Sequence, residues 1–433
     1  MDSTQQSILA AIDEKRADII AFGKSIKGEK GFSEWDTSQK MQAALESLAL
    51  TVQTGLAVTG VRASLSSAQS GEKQPRVAII GELDGIFCPE HPQANPENDV
   101  SHACGHAAQL AAVYGAAIAL CVPQVREKLC GTVDFFAVPA EEALPKAELA
   151  KARARGVEYC CGKAELIRTG AFDDTDLALV SHVHMVQSDA DLLLGFNAAL
   201  GFVSKTVIFH GKAAHAAQSP WNGANALSAA TLALSAIGLL REGFPDADCV
   251  RMHSNIIDGG KAVNVIPDTV TLEAMIRAKS IDGIKAAAEK FDKAMHGAAM
   301  AMGCKAEIID QQGYMPMAVC PPMDVQKAAA GALPSVKVDC ADTSVINFAS
   351  TDVGDLSHIM PVLAFSHGGV TGALHSADFA IENEETAYIL PAKLFALEAY
   401  ELLKDGARAA KELLATTRAP MTKAEYIAAV EHR

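Results

Sequence analysis

The sequence is short of positive charge. Thirty-seven Lys and Arg stand against 52 Asp and Glu, giving a net charge of −15 with the 13 His neutral. Such a chain repels nucleic acid and anionic membranes except through a local basic patch. Runs of about 18 uninterrupted apolar residues, the length a membrane span requires, are lacking too. The first residues, Met1 to Gln6, lead into a charged helix rather than a Lys/Arg-plus-apolar segment. No export signal is read there, and the expected location is the cytoplasm. The ten cysteines are irregularly spaced and form no disulfide framework, so they are expected to be reduced thiols. Neither an internal repeat nor a low-complexity tract is visible. What remains is a chain of 433 residues, 49% hydrophobic and 21% charged, long enough for two or more domains with cores of their own.

Strand-like and helix-like segments alternate over the first part of the chain. Residues 4–25 have an amphipathic pattern expected of one helix, and residues 36–54 of another. Residues 66–74 carry Gly71 among polar residues and read as a hairpin turn. Val77 to Ile80 reads as a buried strand, residues 107–121 as a small-residue helix, Gly131 to Val138 as a strand, 143–170 as charged helices and 177–183 as another strand. This alternation predicts an α/β layer with a mostly parallel sheet and helices on both faces. From about residue 195 the order becomes strand, helix, strand, strand, helix, strand, as in a small ferredoxin-like α+β sheet with two helices on one face. The predicted organisation is therefore a discontinuous catalytic domain, 1–194 and 310–433, interrupted by a lid or dimerisation domain at 195–309. Residues 385–404 read as a long helix of the first domain.

The residues suited to chemistry fall at strand exits of that first domain, where open α/β sheets place their sites. They are Asp84, the pair Cys104 and His106, the pair Glu141 and Glu142, His182 with His184 two residues on, and His375. A Cys, two His and a carboxylate are a ligand set for one or two ions, and Cys with His suits a borderline-soft cation such as Zn²⁺. Each has an ordinary reading beside it. A buried Cys is usually a small hydrophobe, adjacent glutamates are usually solvated, and a loop His such as His375, after Gly368 and Gly369, is commonly unremarkable. His182 and His184 share a strand face by the period of two.

Taken in order, these stretches resemble a known family. His102-Ala103-Cys104-Gly105-His106, Pro139-Ala140-Glu141-Glu142, Asp173 to Asp176 followed by His182, and Gly211 to Ala217 around His215 are similar to motifs of the M20 metallopeptidases and amidohydrolases. The similarity is strongest to the aminoacylase-like branch of aminobenzoyl-glutamate, hippurate and auxin-conjugate hydrolases. Ser350 to Asp355 also looks like a segment of that branch, and the likeness spans roughly residues 5–405. It implies two divalent ions per subunit, Zn or Mn with Co as a further choice. Cys104 would bridge them, and His106, Glu142, His182 and His375 would complete the shells. Other branches carry a His-x-Asp motif where this chain has Glu82-Leu83-Asp84. His106 would fill the place of the missing His, with Asp84 orienting a ligand from behind.

The same resemblance makes Glu141 the general base, which takes a proton as water attacks the amide and passes it to the leaving nitrogen. It also assigns His215 to the scissile carbonyl, commonly in the partner subunit's site, and Asn264 and Arg277 to the substrate's free carboxylate. The implied partners are a small amide substrate and a second copy of the chain, paired through the inserted domain. The expected activity is hydrolysis of an N-acyl or N-aroyl amino acid. An acidic leaving group, aspartate or glutamate, is a candidate, although no second basic residue is tied to it in the sequence. A dipeptidase or carboxypeptidase using the same groups is the alternative, and a non-catalytic binding homologue the third reading. Departures cluster around the acyl pocket: Ala107 after the Cys-Gly-His stretch, Gly85-Ile86-Phe87 after Asp84, and a charged helical stretch with Cys160 and Cys161 after Glu142. Neither His184 nor the cysteine pair receives a role.

Overall fold

A computed structural model of the chain describes residues 1–67, 73–184 and 188–431. It divides into two compact units. The first is Met1–Asn197 with Ala318–Val345 and Asp355–Ala424; the second is Ala198–Met317 with Ile346–Gly354 and Glu425–Arg433. The second unit thus takes in segments beyond the expected 195–309.

The first unit is built on an eight-stranded sheet. Its strands in chain order are β1 (Thr51–Leu56), β2 (Gly60–Ser66), β3 (Arg76–Glu82), β4 (Thr132–Val138), β5 (Leu177–Val183) and β6 (Leu192–Leu194), followed later by β11 (Val338–Cys340) and β12 (Val362–His367). In space they run β1-β2-β4-β3-β5-β12-β6-β11. The centre, β4-β3-β5-β12, is parallel throughout, while β1, β2 and the β12–β6 pairing are antiparallel. Val77, Ala78, Ile79 and Ile80 are buried on both faces of β3, as a central parallel strand must be. Helix α2 (His106–Cys121) is mostly Ala with larger apolar residues and is buried on nearly every side. It packs on β3 and against α1 (Ser3–Glu14) and α6 (Leu390–Thr416). That lodges its N-terminus at the carboxyl ends of β3, β4 and β5.

Some local expectations are corrected. Residues 4–25 are not one helix. Lys15 leaves helical geometry (φ −97°, ψ 10°), so α1 ends at Glu14 and a second helix, Arg16–Ser25, brings Ile19 to the core on a new heading. The segment read as helical to residue 54 stops at Glu46. Thr51, Val52 and Thr54 are β-branched and belong to β1. The helix expected over 385–404 continues to Thr416, broken at Lys404–Ala407. The turn read at 66–74 falls largely on residues 68–72, outside the described residues.

The second unit holds a four-stranded sheet of β7 (Gly201–His210), β8 (Arg251–Asp258), β9 (Thr269–Ala278) and β10 (Lys305–Gln311), in the order β8-β9-β7-β10 with every neighbouring pair antiparallel. Helices α4 (Ala226–Leu240) and α5 (Ile281–Ala301) connect them. They pack on the face carrying Val203, Val207, Phe209, Val270, Leu272, Ala274 and Ile276. By strand alternation the opposite face carries Phe202, Met275, Arg277 and Arg251. Among the described residues no helix is long and apolar enough to cross a membrane.

Candidate metal centre

The turn between β3 and α2 begins the site. Gly105 adopts φ +87°, a conformation costly for residues with a Cβ, and a Cβ there would lie 2.7 Å from Val183 Cγ1. Gly105 therefore lets the chain turn tightly over the end of β5, which puts Cys104 and His106 beside His182 near the end of that strand. Cys104 Sγ lies 3.4 Å from His182 Nε2 and 3.2 Å from His375 Nε2. His375 reaches it from a loop in which its own φ is +61° and its N–H donates to Ala103 O at 2.9 Å.

Two triads of ligand atoms result. In one, Cys104, His106 and His182 present donor atoms all within 4.8 Å of one another; in the other, Cys104, Glu142 and His375 do so. Cys104 belongs to both. These are the five residues marked in the sequence as candidate ligands. His184 is not among them. It follows the end of β5, and its ring bonds Ser366 Oγ and Ala190 O, each at 2.9 Å.

The ring nitrogens are oriented for ligation. His106 Nδ1 faces the Asp84 carbonyl at 2.8 Å, and His182 Nδ1 faces the Val183 carbonyl at 2.9 Å. A carbonyl only accepts, so each Nδ1 donates, and each neutral ring keeps its lone pair on Nε2, toward Cys104. Burial lowers the pKa of His182, favouring the neutral ligand form. His106 is different. Burial alone would lower its pKa, but Glu82, Asp84 and Cys104 around it push it well above the ordinary value. Burial, followed by the Glu142 charge, pushes the Cys104 thiol up. Burial would raise the Glu142 carboxyl as well, but His375 and His106 hold it down.

The residues present fit divalent ions. His106 Nε2 and Glu142 Oε1 are buried and make no hydrogen bond of good geometry among the described residues. Their near neighbours, Glu82 Oε2 at 3.1 Å and His375 Nε2 at 3.2 Å, are close without being aligned. Such atoms are costly unless something electropositive satisfies them. One thiol, three imidazoles and one carboxylate are a donor set that Zn²⁺ accepts readily and Mn²⁺ or Co²⁺ can share.

A second layer holds the Pro139 to Glu142 turn. Glu34 is fully buried, accepts the Ala140 N–H at 2.8 Å and the Thr59 hydroxyl at 2.6 Å, and is raised to about 8 by burial and by the charge of Asp84. Ala140 takes φ +47°, turning Glu141 and Glu142 in succession toward the strand ends. Asp84, fully buried, accepts the Glu142 N–H at 2.9 Å and lies 3.4 Å from His106 Nδ1. Glu141 is 9% exposed, and its carboxylate groups with His106 and Glu82 within 4.8 Å.

Glu82 could complete that third group as a ligand, but Lys163 already occupies it. Lys163 is fully buried on α3 (Gly162–Thr169), and its ammonium lies 2.5 Å from Glu82 Oε1. Burial would raise the Glu82 carboxyl; Lys163, with His106 and His182, holds it down to about 2. The sequence reading missed Lys163 and Glu34, since a Lys or Glu near a helix start looks solvated. K163M leaves a buried carboxylate without its cation, a loss of about 3–5 kcal/mol. Urea unfolding is expected to show that loss, and K163M/E82Q to recover part of it.

His215, Asn264 and Arg277 lie on the second unit. The His215 and Asn264 segments are adjacent: His215 bridges Val265, and the Ala216 N–H donates to Asn264 O at 3.0 Å. Arg277 donates from Nη1 to Ser350 Oγ at 2.8 Å.

Residues 197–300 match the peptidase dimerisation domain of the M20 proteins. The chain is 28% identical over 312 residues to the Xaa-Arg dipeptidase of Mus musculus, covering 70% of this chain and 64% of that one. It is 28% identical over 280 residues to one of the two kinds of chain that make up the p-aminobenzoyl-glutamate hydrolase of Escherichia coli K12, covering 63% and 53%. The matched region is thus less than two thirds of the length of either relative. A longer match, 382 residues at 28% identity and 82% and 74% coverage, is to the IAA-amino acid hydrolase ILR1-like 6 of Arabidopsis thaliana. Among solved structures, a dinuclear metal-binding M20 peptidase of Bacillus subtilis shares the fold, with TM-score 0.66 at 21% identity over 90% of this chain and 99% of that one. The dimerisation domain, the relatives and the shared fold identify the chain as a member of the M20 family of metallopeptidases and amidohydrolases.

Proposed function

We propose that this protein is a metal-dependent amidohydrolase that cleaves the amide bond of an N-acyl or N-aroyl amino acid. The observation that carries the reading is the pair of ligand triads sharing one sulfur, Cys104. In this reading Cys104 bridges two ions, Zn or Mn with Co as a further choice, one completed by His106 and His182 and the other by Glu142 and His375. Bound there, the ions supply Lewis acidity and lower the pKa of coordinated water.

The chain's own groups do the rest. Glu141, adjacent to a ligand but not one itself, takes the proton of the attacking water and returns it to the departing nitrogen. Asp84 holds the Glu142 backbone and the His106 ring in place. Asn264 and Arg277 grip the substrate carboxylate, and His215 donates to the carbonyl as it becomes an oxyanion. The 197–300 match supports a homodimer formed through the second unit, the lid or dimerisation domain of the sequence reading.

The dipeptidase reading keeps a footing in the likeness to the mouse Xaa-Arg dipeptidase. Chelator-stripped protein, reconstituted in turn with Zn²⁺, Mn²⁺ and Co²⁺, should be assayed against N-benzoyl, N-acetyl and indole-acetyl amino acids and against dipeptides. The expected result is metal-dependent hydrolysis of the acyl amino acids, with dipeptides slower. Faster dipeptide cleavage would favour the second reading, and hydrolysis that survives chelation would refute the metal mechanism.

A further inference from the structure

On the open face of the second unit's sheet, Arg251 of β8 stands directly opposite Arg277 of β9 in the antiparallel register. Directly opposed residues project to the same side with their Cβ atoms about 4.5–5.5 Å apart, and like charges so placed repel. No carboxylate relieves them, since among the described residues neither guanidinium has an ion-pair partner. Each is instead laid over an aromatic ring, Arg251 on Phe348 at 4.5 Å and Arg277 on Phe202 at 5.4 Å. Phe202 is itself opposite Arg277 across the β7–β9 ladder. Arg277 spends one donor on Ser350 Oγ and Arg251 one on the Val250 carbonyl, which leaves most of both forks unused. Burial lowers the Arg277 pKa with no anion to offset it. Ring faces orient the two cations without neutralising them, so this strip of sheet is prepared for negative charge.

We infer that Arg251 is a specificity-determining residue that binds a second carboxylate, so that the leaving amino acid is aspartate or glutamate. The inference rests on the proposed amidohydrolase reading and specifies its leaving group. Arg277 takes the α-carboxylate, and Arg251, one strand spacing away, takes the side-chain carboxylate. That spacing is about 4.8 Å between backbones, of the order separating the two acid groups of such an amino acid. A neutral or basic side chain there leaves the Arg251 charge unanswered. This is the second basic residue that the sequence did not disclose. The loop between β8 and β9 hides the register that brings position 251 to position 277.

The test compares N-benzoyl-glutamate with N-benzoyl-glutamine, which have nearly the same shape. The wild-type protein is expected to prefer the glutamate substrate by about tenfold or more in kcat/KM, or about 1.4 kcal/mol. In R251Q the ratio is expected to fall to near one through a rise in KM for the glutamate substrate, with R251K keeping part of the preference. No wild-type preference would overturn the assignment. So would an R251Q variant that weakens both substrates equally, the result if both arginines clasp one carboxylate, or that leaves the ratio as it was. If neither amide is cleaved, the amidohydrolase reading fails, and calorimetry with free glutamate and glutamine decides the subsite. Glutamate-selective binding that R251Q abolishes would sustain it, whereas unselective or absent binding would overturn it.

Discussion

Replacing Glu141 with alanine is expected to lower kcat by about 10³-fold while leaving the bound metal and the fold as they are. A drop of that size is about 4 kcal/mol of transition-state stabilisation. The expectation comes from the build of the Pro139–Glu142 turn. Glu142 faces Cys104 and His375, but Glu141, one residue earlier, groups with His106 and Glu82 and belongs to neither Cys104-centred triad. The turn is pinned through backbone groups, Ala140 N–H to Glu34 and Glu142 N–H to Asp84, so removing the Glu141 side chain leaves its anchors in place. E141Q, which keeps the volume and loses the basicity, should behave like E141A. Steady-state kinetics with elemental analysis of the same samples checks both halves. Wild-type turnover in E141A would remove Glu141 as the base. Loss of metal together with activity would make it a ligand.

The second large effect belongs to Cys104. Its sulfur is the only atom common to both triads, so C104A is expected to weaken metal binding by at least about 100-fold, more than the 10–100-fold typical of losing a residue behind the ligands. Hydrolysis should fall with metal occupancy. Burial and Glu142 keep the thiol protonated at neutral pH when no cation is present, so metal uptake by the wild-type apoprotein should release a proton that C104A does not. C104S tests whether a harder oxygen can substitute, and it is expected to favour Mn²⁺ over Zn²⁺ relative to wild type.

The contrast between what the sequence disclosed and what it hid has a physical basis. Cys104, His106, Glu141, Glu142, His182 and His375 were legible because such residues stand out where apolar strands end, and because their stretches occur in a familiar order. The parallel sheet was legible from β3 and β5, whose apolar runs have no polar face. Lys163 was not, because its burial depends on α3 packing over the end of β3, and nothing in the local pattern distinguishes it from a solvated lysine. Glu34 was hidden for the same reason: it lies over 100 residues from the Ala140 N–H that it accepts. Helix limits were misjudged at Lys15 and after Glu46, where periodicity continues but the backbone turns away. Arg251 was hidden because register, unlike composition, is a property of the folded hairpin.

The shared sulfur is the centre of this account, and cobalt reports on it directly. Chelator-stripped protein titrated with Co²⁺ should bind two equivalents per chain and develop an ultraviolet thiolate-to-cobalt charge-transfer band. That band should be missing from C104A at every metal concentration. A wild-type titration that ends at one equivalent, or that saturates without the band, would contradict a thiolate-bridged pair of ions.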